Sequence, residues 1–295
     1  MLQNSCGCES SFVLTPTAQL DCDCILSFVI GFPKEYIFLN PEKQLTQKQV
    51  AFFFECIERR RTGLPVAYIV GEKEFFGFDY FVSEDVLIPK PDTELLVEQA
   101  VGLILAKIQN TSCYEKIRIL DVCTGSGCII VSVWNILKHK GFENRISLFA
   151  CDICDKALAV AKKNAEKYKC PVQFRQGDLL TPFFWEKQDN SFDFILANPP
   201  YVPREIADKL LLDGRNEPFI ALNGDCGGTS DGTGLIKRLI VQALQILRQD
   251  GFLLMEAGEY NIHSVASTLD VNGFKNIEIL KDLSNMPRLL VAKKE

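Results

Sequence analysis

The chain has 295 residues, of which 47% are hydrophobic and 24% are charged, and its net charge is −6. This composition excludes a disordered or fibrous chain, and the length suggests two modest domains or one large domain with an appendage. The acidic total disfavours tight, non-specific binding of nucleic acid, and no apolar run approaches the roughly 20 residues that cross a bilayer.

The N-terminal part of the chain predicts a helical module followed by a hairpin. Residues 15–61 show helical periodicity interrupted by glycine and proline, with Thr15-Pro16 at the first helix start. Residues 68–89 alternate and are rich in aromatic side chains, which predicts a β-hairpin that turns at Gly77 or Asp79. The predicted organisation is a helical domain over residues 1–66, a hairpin linker over 67–89 and an α/β region over 90–295.

Strands and helices alternate in the C-terminal two thirds of the chain. A helix comes first, with Asp92 or Thr93 as the candidate cap of its N-terminus. The predicted strands that follow are 117–122, 146–151, 172–176, 192–197 and 252–255. The predicted helices among them are 127–138, 156–168 and 235–247, and segments 277–280 and 288–292 predict an antiparallel hairpin. This pattern predicts an open, mostly parallel α/β sheet, in which ligands bind at the carboxyl ends of the strands.

The metal-ligating residue types do not predict a metal site. Only two histidines occur, and Cys151-x-x-Cys154 has no second CxxC pair beside it. The twelve cysteines, which include Cys6 and Cys8 in a Ser/Gly-rich start, are expected to be reduced thiols, several packed as small apolar side chains. No basic segment precedes an apolar stretch at the start of the chain, so a cytoplasmic location is expected.

A cofactor loop is predicted after the first strand of the sheet, over Asp121–Gly127. Its two glycines permit a tight turn and close approach of a ligand to bare backbone. Asp152 ends the next strand, where a carboxylate can accept both hydroxyls of a ribose, although an N-cap is the alternative role. The third glycine of the dinucleotide fingerprint is missing, which favours S-adenosylmethionine, a cofactor without phosphates. Asp178, after the third strand, is a candidate acceptor for an adenine amino group or else a solvated loop carboxylate.

The second candidate site is Asn198-Pro-Pro-Tyr201, directly after the fourth strand. The prolines remove two backbone donors and leave carbonyl oxygens free to accept. The carbonyls of Asn198 and a proline can together accept both hydrogens of a planar amino group, which points its nitrogen lone pair toward a sulfonium methyl. Because that methyl is already activated, positioning and electrostatics should provide most of the catalysis. Tyr201 is placed to stack on the planar target, and an ordinary strand-ending turn is the alternative interpretation.

These residues resemble a known family. Asn198-Pro-Pro-Tyr201 looks like the motif of methyltransferases that act on amino groups of adenine, cytosine or glutamine. A more specific resemblance, from about residue 20 to the C-terminus, is to the HemK/PrmC family of peptide-chain release factor glutamine methyltransferases. The segments that carry it are Arg59-Arg-Arg-Thr-Gly63, Pro65, Ala67-Tyr68, Gly71, Glu74-Phe-Phe-Gly77, Ile88-Pro-Lys-Pro-Asp-Thr-Glu94, Glu217-Pro218, Asp231-Gly232, Glu256-x-Gly258 and Arg288.

The resemblance implies a Rossmann-like methyltransferase fold with a seven-stranded, mostly parallel sheet, a small N-terminal helical domain for substrate recognition and a β-hairpin linker. It implies methyl transfer from S-adenosyl-L-methionine to the glutamine side-chain amide in the Gly-Gly-Gln motif of class-one release factors, which supports translation termination. These release factors are the implied protein partners, and no stable nucleic-acid partner or membrane partner is expected.

The resemblance also implies roles for individual residues. The implied cofactor-binding residues are Cys123, Thr124, Gly125, Ser126, Gly127, Asp152, Asp178, Leu179 and Asn198. The implied substrate-binding residues are Asn198, Pro199, Pro200 and Tyr201, of which Asn198, Pro199 and Tyr201 are catalytic. The chain departs from the family pattern at Lys90 (usually arginine), at Cys123 (usually glycine), in a longer loop over residues 224–234 and in lacking the Gln that often follows Glu256-x-Gly258.

Other functions remain open at this point. A nucleic-acid amino methyltransferase is the main alternative, because an adenine amino group has the same planar geometry as an amide. Such an enzyme needs a basic groove and usually a domain that receives a flipped base, and the sequence shows neither. Methylation of a ribosomal-protein glutamine is a sibling activity that the core motifs do not separate. Intact Asn198 and Asp152 argue against a non-catalytic binding module.

Overall fold

The computed structural model describes residues 17–184, 192–212 and 216–295. Its N-terminal part is helical, with α1 (Ala18–Ile30), α2 (Lys34–Leu39), α3 (Gln47–Arg61) and α4 (Val66–Val70). A capping box starts α3: the Thr46 hydroxyl accepts from the N–H of Gln49, and the Gln49 side chain accepts from the N–H of Thr46. The predicted helix start at Thr15-Pro16 and the thiols of Cys6 and Cys8 lie outside the described residues.

A short antiparallel hairpin of β1 (Glu72–Phe75) and β2 (Phe78–Phe81) follows the helices. It turns at Phe76-Gly77, and Gly77 has a φ of 74°, a conformation that glycine adopts without steric cost. The turn therefore lies at the first of the two predicted positions.

The rest of the chain forms a layered α/β structure. In chain order its elements are α5 (Glu94–Asn110), β3 (Ile117–Val122), α6 (Cys128–His139), β4 (Ile146–Asp152), α7 (Asp155–Lys167), β5 (Val172–Gln176), β6 (Phe192–Ala197), α8 (Arg204–Leu212), α9 (Phe219–Leu222), α10 (Gly234–Ile246), β7 (Leu247–Glu256), α11 (Ile262–Val271), β8 (Phe274–Lys281) and β9 (Pro287–Lys294). Within the described ranges, seven of these strands make one sheet in the order β5-β4-β3-β6-β7-β9-β8. Its pairs are parallel except those of β9, which confirms the predicted fold class.

The central strands place the loops of the candidate site at one edge of the sheet. β6 is buried at every position, as expected for a strand covered on both faces by helices. The last residue of β3, Val122, pairs with Cys151 of β4 on one side and with Ala197 of β6 on the other. The three following loops therefore start side by side at one edge of the sheet.

Two local predictions differ from the structure. β7 begins at Leu247 rather than at Phe252, because a register shift beside Phe192 accommodates the polar segment in between. Thr93 precedes α5, but its side chain makes no cap hydrogen bond there, since its hydroxyl is directed to a buried carboxylate described below.

The described helices include none that is long and apolar enough to cross a membrane. Within the same ranges, no cluster of three or more His, Cys, Asp or Glu side chains is arranged to hold a metal ion.

Candidate active site

The loop after β3 forms one wall of a cavity at the carboxyl edge of the sheet. Gly125 and Gly127 have φ values of 53° and 78°, and Cys123 has 57°. Non-glycine residues rarely adopt such values, so Cys123 occupies a conformation that suits glycine. Thr124 closes the turn, since its N–H donates to the Cys151 carbonyl and its hydroxyl donates to the Asp121 carboxylate at 2.6 Å.

Gly127 lies behind this loop, where it leads into α6. A Cβ atom at Gly127 would stand 3.2 Å from the Cβ of Ala161 in α7. The absent side chain therefore lets the two helices approach each other closely.

Asp152, the last residue of β4, ties the neighbouring loops together. One carboxylate oxygen accepts the N–H of Gly125 at 2.9 Å, and the other accepts the N–H of Cys154 at 3.0 Å. The N-cap of α7 is Cys154, so Asp152 lies just outside the helix. Burial raises the pKa of its carboxyl group, while the two N–H donors act in the opposite direction.

The predicted cofactor residues meet around two adjoining cavities. The first is lined by Cys123, Thr124, Gly125, Ser126, Asp152 and Asn198. The second is lined by Asp178 and Leu179, and both cavities share Cys123, Asp152 and Pro200. The sequence therefore identified residues that the fold brings together, although segments distant in the chain supply them.

Asp178 has a charged partner in the second cavity. Its carboxylate forms an ion pair with Arg238 of α10, which lines the same cavity. Arg238 was not predicted as a site residue, because nothing in the local sequence of α10 links it to Asp178. Leu179 has a φ of 51°, and its carbonyl accepts the thiol of Cys151 at 3.1 Å.

The Asn198–Tyr201 segment borders a third, small cavity of about 80 Å³. Asn198, Pro199 and Tyr201 line it together with Lys90 and Glu256, and Asn198 and Lys90 also line the first cavity. The Asn198 amide nitrogen donates to the Thr93 hydroxyl at 3.1 Å. Within the described part of the chain, no donor reaches the side-chain oxygen of Asn198 or the carbonyl oxygen of Pro199. Two acceptors are thus free in residues that line the third cavity, and Asn198 is shared with the first.

Glu256, at the end of β7, lies beneath this segment and is only 2% exposed. Its carboxylate accepts hydrogen bonds from the Thr93 hydroxyl at 2.7 Å and from the Tyr201 hydroxyl at 2.8 Å. Burial raises the pKa of Glu256, while these donors and the positive charge of Arg288 favour its ionised form. Burial and the Glu256 carboxylate raise the pKa of Tyr201, so its phenol stays protonated and remains a donor.

The backbone around Tyr201 is tightly packed. A Cβ atom at Gly232 would lie 2.1 Å from the Tyr201 carbonyl oxygen, and one at Gly224 would lie 2.7 Å from the Pro200 carbonyl oxygen. The Tyr201 carbonyl also accepts from the side chains of Tyr260 and Asn261, each at 3.1 Å. The loop of residues 224–234, longer than the family pattern, therefore packs directly against the candidate site.

Lys90 occupies the position where the family pattern has arginine. Its ammonium group contacts both carboxylate oxygens of Glu217, at 2.8 and 3.0 Å, and Glu217 also accepts the N–H of Ile88. Glu217 is nearly buried, so this pair fixes the segment before Thr93 against the segment after α8. A lysine can supply the charge of the missing arginine, although not its bidentate geometry.

Comparison with known proteins adds an independent observation. Residues 11–71 match the family model of the PrmC N-terminal domain, and residues 96–213 match that of the methyltransferase small domain. A release factor glutamine methyltransferase of Koribacter versatilis is 35% identical, with 95% of this chain and 92% of the relative covered. The chain belongs to the release factor glutamine methyltransferase family. A member from Bacillus subtilis is 32% identical, with 92% and 89% covered.

Solved structures support the fold of this family member. The human methyltransferase 10 domain containing protein has a TM-score of 0.51 and 18% identity, with 85% of this chain and 99% of that chain covered. At this identity the likeness concerns the fold alone.

The cavities suit the family's cofactor, S-adenosylmethionine. Asp152 is half-buried, and the two partners that the described residues supply to its carboxylate are donors, so it has acceptor capacity left for ribose hydroxyls. The bare backbone at Gly125 leaves room for a ligand, since among the described residues a Cβ atom there would meet a single atom within 4 Å, the Cys123 carbonyl oxygen at 4.0 Å. This methyltransferase therefore has both the acceptor and the space that the cofactor needs.

Proposed function

We propose that this enzyme methylates the side-chain amide nitrogen of the glutamine in the Gly-Gly-Gln motif of class-one release factors. The observation that carries the proposal is the pair of free acceptors at the third cavity, the side-chain oxygen of Asn198 and the carbonyl of Pro199, of which Asn198 also lines the cofactor cavity. Family membership supports the same substrate, because the relatives are named release factor glutamine methyltransferases.

In the proposed mechanism, bound S-adenosylmethionine supplies an activated methyl group on a positively charged sulfur. Asp152 would accept hydrogen bonds from the ribose hydroxyls, and the loop of residues 123–127 would border the cofactor with its backbone. Asp178 and Leu179 lie along the part of the cavity assigned to the adenine, where Arg238 holds the Asp178 carboxylate.

Asn198 and Pro199 accept the two hydrogens of the primary amide. An amide nitrogen is a weak nucleophile because its lone pair is delocalised into the carbonyl group. Acceptors on both hydrogens favour a pyramidal nitrogen, whose lone pair then points toward the methyl group. As the nitrogen took the methyl group, the methyl–sulfur bond would break with its electron pair left on sulfur, and the nitrogen would release one of its two protons to water. The residues act by orientation and electrostatics, and the ring of Tyr201 lines the wall on which the planar amide stacks.

The decisive experiment offers labelled S-adenosylmethionine and three acceptors in parallel: a class-one release factor, a ribosomal protein and DNA. We expect label on the release factor, at the glutamine of its Gly-Gly-Gln motif. Label on the ribosomal protein or the DNA alone would contradict the proposal.

Substitution of Asn198 tests the mechanism. Asn198→Ala should lower the single-turnover rate by about 10²–10³-fold, the usual effect of losing one contact aimed at the reacting group. Cofactor affinity, measured by calorimetry, should stay near the wild-type value. A normal transfer rate in the variant would contradict this mechanism, and a loss of cofactor binding would make Asn198 a cofactor ligand instead.

A further inference from the structure

A chain of hydrogen bonds runs from the candidate amide-binding site into the protein interior. The Asn198 amide nitrogen donates to the Thr93 hydroxyl at 3.1 Å, and this hydroxyl donates to Glu256 at 2.7 Å. Thr93 is 3% exposed and Glu256 is 2% exposed, so the bond between them is buried. The chain links α5, β6 and β7 directly below the two free acceptors.

The direction of each bond in this chain follows from simple donor counting. An ionised carboxylate only accepts, and a threonine hydroxyl has a single hydrogen to donate. Since that hydrogen goes to Glu256, the Thr93 oxygen can only accept from Asn198. The side chain of Asn198 must therefore turn its nitrogen toward Thr93, which leaves its oxygen facing the cavity.

We infer that Thr93 is a positioning residue for methyl transfer: it fixes the Asn198 amide with its oxygen toward the substrate, in an orientation that the Glu256 carboxylate imposes. This inference rests on the proposed function. An Asn198 amide rotated by half a turn would present N–H groups to the N–H groups of the substrate amide. Two donors would then face each other, and the acceptor needed for orientation would be lost.

Burial raises the pKa of Glu256, whereas two neighbours favour the ionised form that this direction requires. Tyr201 donates to its second oxygen, and Arg288 contributes a nearby positive charge. Arg288 is itself held by ion pairs with Asp92 at 3.5 Å and Asp282 at 3.3 Å. The carboxylate thus has donors on both oxygens, and its orientation is fixed from two sides.

The test compares Thr93→Val, which keeps the shape but removes the hydroxyl, with Thr93→Ser, which keeps the hydroxyl. In single-turnover methylation of a class-one release factor, we expect Thr93→Val to be about 10–10²-fold slower and Thr93→Ser to stay within about threefold of wild type. Both variants should bind S-adenosylmethionine with wild-type affinity in calorimetry. In an Asn198→Ala background, Thr93→Val should cause no further loss of rate, because its effect passes through Asn198.

Three results would overturn the inference: a wild-type rate in Thr93→Val, an equal loss in the valine and serine variants, or a full additional loss in the Asn198→Ala background. If Thr93→Val does not fold, Thr93→Ala provides the same test, since it also removes the hydroxyl that accepts from Asn198. We expect a loss of rate of similar size, and an unchanged rate would overturn the inference. Failure of the wild-type enzyme to methylate release factor would instead contradict the proposed function.

Discussion

The side chain of Asn164 and the backbone of Phe81 are joined by two hydrogen bonds, of 2.7 and 2.9 Å. The same Asn164 nitrogen also donates to the carbonyl of Ser126 at 2.8 Å. One fully buried amide on α7 thus connects the hairpin to the cofactor loop. The hairpin is therefore part of the support of the site as well as a connection between two regions.

Removal of this amide should destabilise the protein. Asn164→Ala leaves the N–H and carbonyl of Phe81 and the carbonyl of Ser126 without their partner, and we expect a loss of roughly 3–5 kcal/mol in the free energy of unfolding. Urea denaturation measures it. Asn110→Ala is the matched control, because the exposed Asn110 bonds only to its own helix, and it should change stability by less than about 0.5 kcal/mol. Equal effects of the two substitutions would contradict this role.

Asp152 should control cofactor affinity. Asp152→Ala removes the proposed ribose acceptor and should weaken S-adenosylmethionine binding by roughly 1–3 kcal/mol, measured by calorimetry. Asp152→Asn retains one acceptor oxygen and should lose less. A folded alanine variant with wild-type affinity would remove Asp152 from the cofactor site.

Two glycines of the loop over residues 224–234 allow a matched comparison of alanine substitutions. Gly232 and Gly228 have φ values of 75° and 87°, so alanine is strained by a similar amount, about 1 kcal/mol, at both positions. A Cβ atom at Gly228 meets nothing within 4 Å, whereas one at Gly232 collides with the Tyr201 carbonyl. Gly232→Ala should therefore shift the Asn198–Tyr201 segment and lower the transfer rate by about 10²-fold, while Gly228→Ala should keep most of the rate. Similar rates in the two variants would show that the packing at Tyr201 is unimportant.

Asp121 should make stability depend on pH. Burial raises the pKa of its carboxyl group to about 7, above the value of about 3.9 for an unfolded chain. Between these values the folded protein holds a proton that the unfolded chain has released, so the contribution of Asp121 to stability is lost as the pH rises through about 7. The difference in unfolding free energy between wild type and Asp121→Asn should fall by on the order of 2 kcal/mol between about pH 5 and pH 8. A constant difference would contradict the raised pKa.

The helical N-terminal part should contribute to recognition of the release factor. Its α3 helix exposes two large aromatic side chains, Phe52 and Phe54, each 41% accessible. The double substitution of Phe52 and Phe54 by serine should raise the KM for the release factor several-fold while leaving cofactor affinity unchanged. Tyr114→Ser is the control, because Tyr114 is 94% exposed but precedes β3, at the edge of the sheet opposite the cofactor loop. The same rise in KM for the control would argue against a docking role for the helical part.

The features of the fold and of the candidate site that depend on local residue patterns can be predicted from the sequence. The strands that support the site, the glycine turn, Asp152 and the Asn198 tetrapeptide all have signatures within a few residues, and the structure brings them to one edge of the sheet. Asn164, Arg238 and Asn261 had no such signature, because each acts through a partner distant in the chain. Thr93 was considered only as a helix cap, since its true partner, Glu256, is 163 residues away. Hydrogen bonds between residues so far apart in the chain depend on the packed fold, and the local periodicity of the sequence does not reveal them.

The hydrogen bonds that the Tyr201 carbonyl already accepts affect how the site would hold a methylated glutamine. Because the side chains of Tyr260 and Asn261 already bond to it, this carbonyl is occupied, and the contacts proposed for the substrate amide are those to Asn198 and Pro199. A primary amide has two N–H groups to match them, but a glutamine that already carries a methyl group has one. Holding such a glutamine would leave a buried acceptor unpaired, at a cost of about 1–3 kcal/mol. We therefore expect the monomethylated glutamine to leave the site in preference to a second round of transfer.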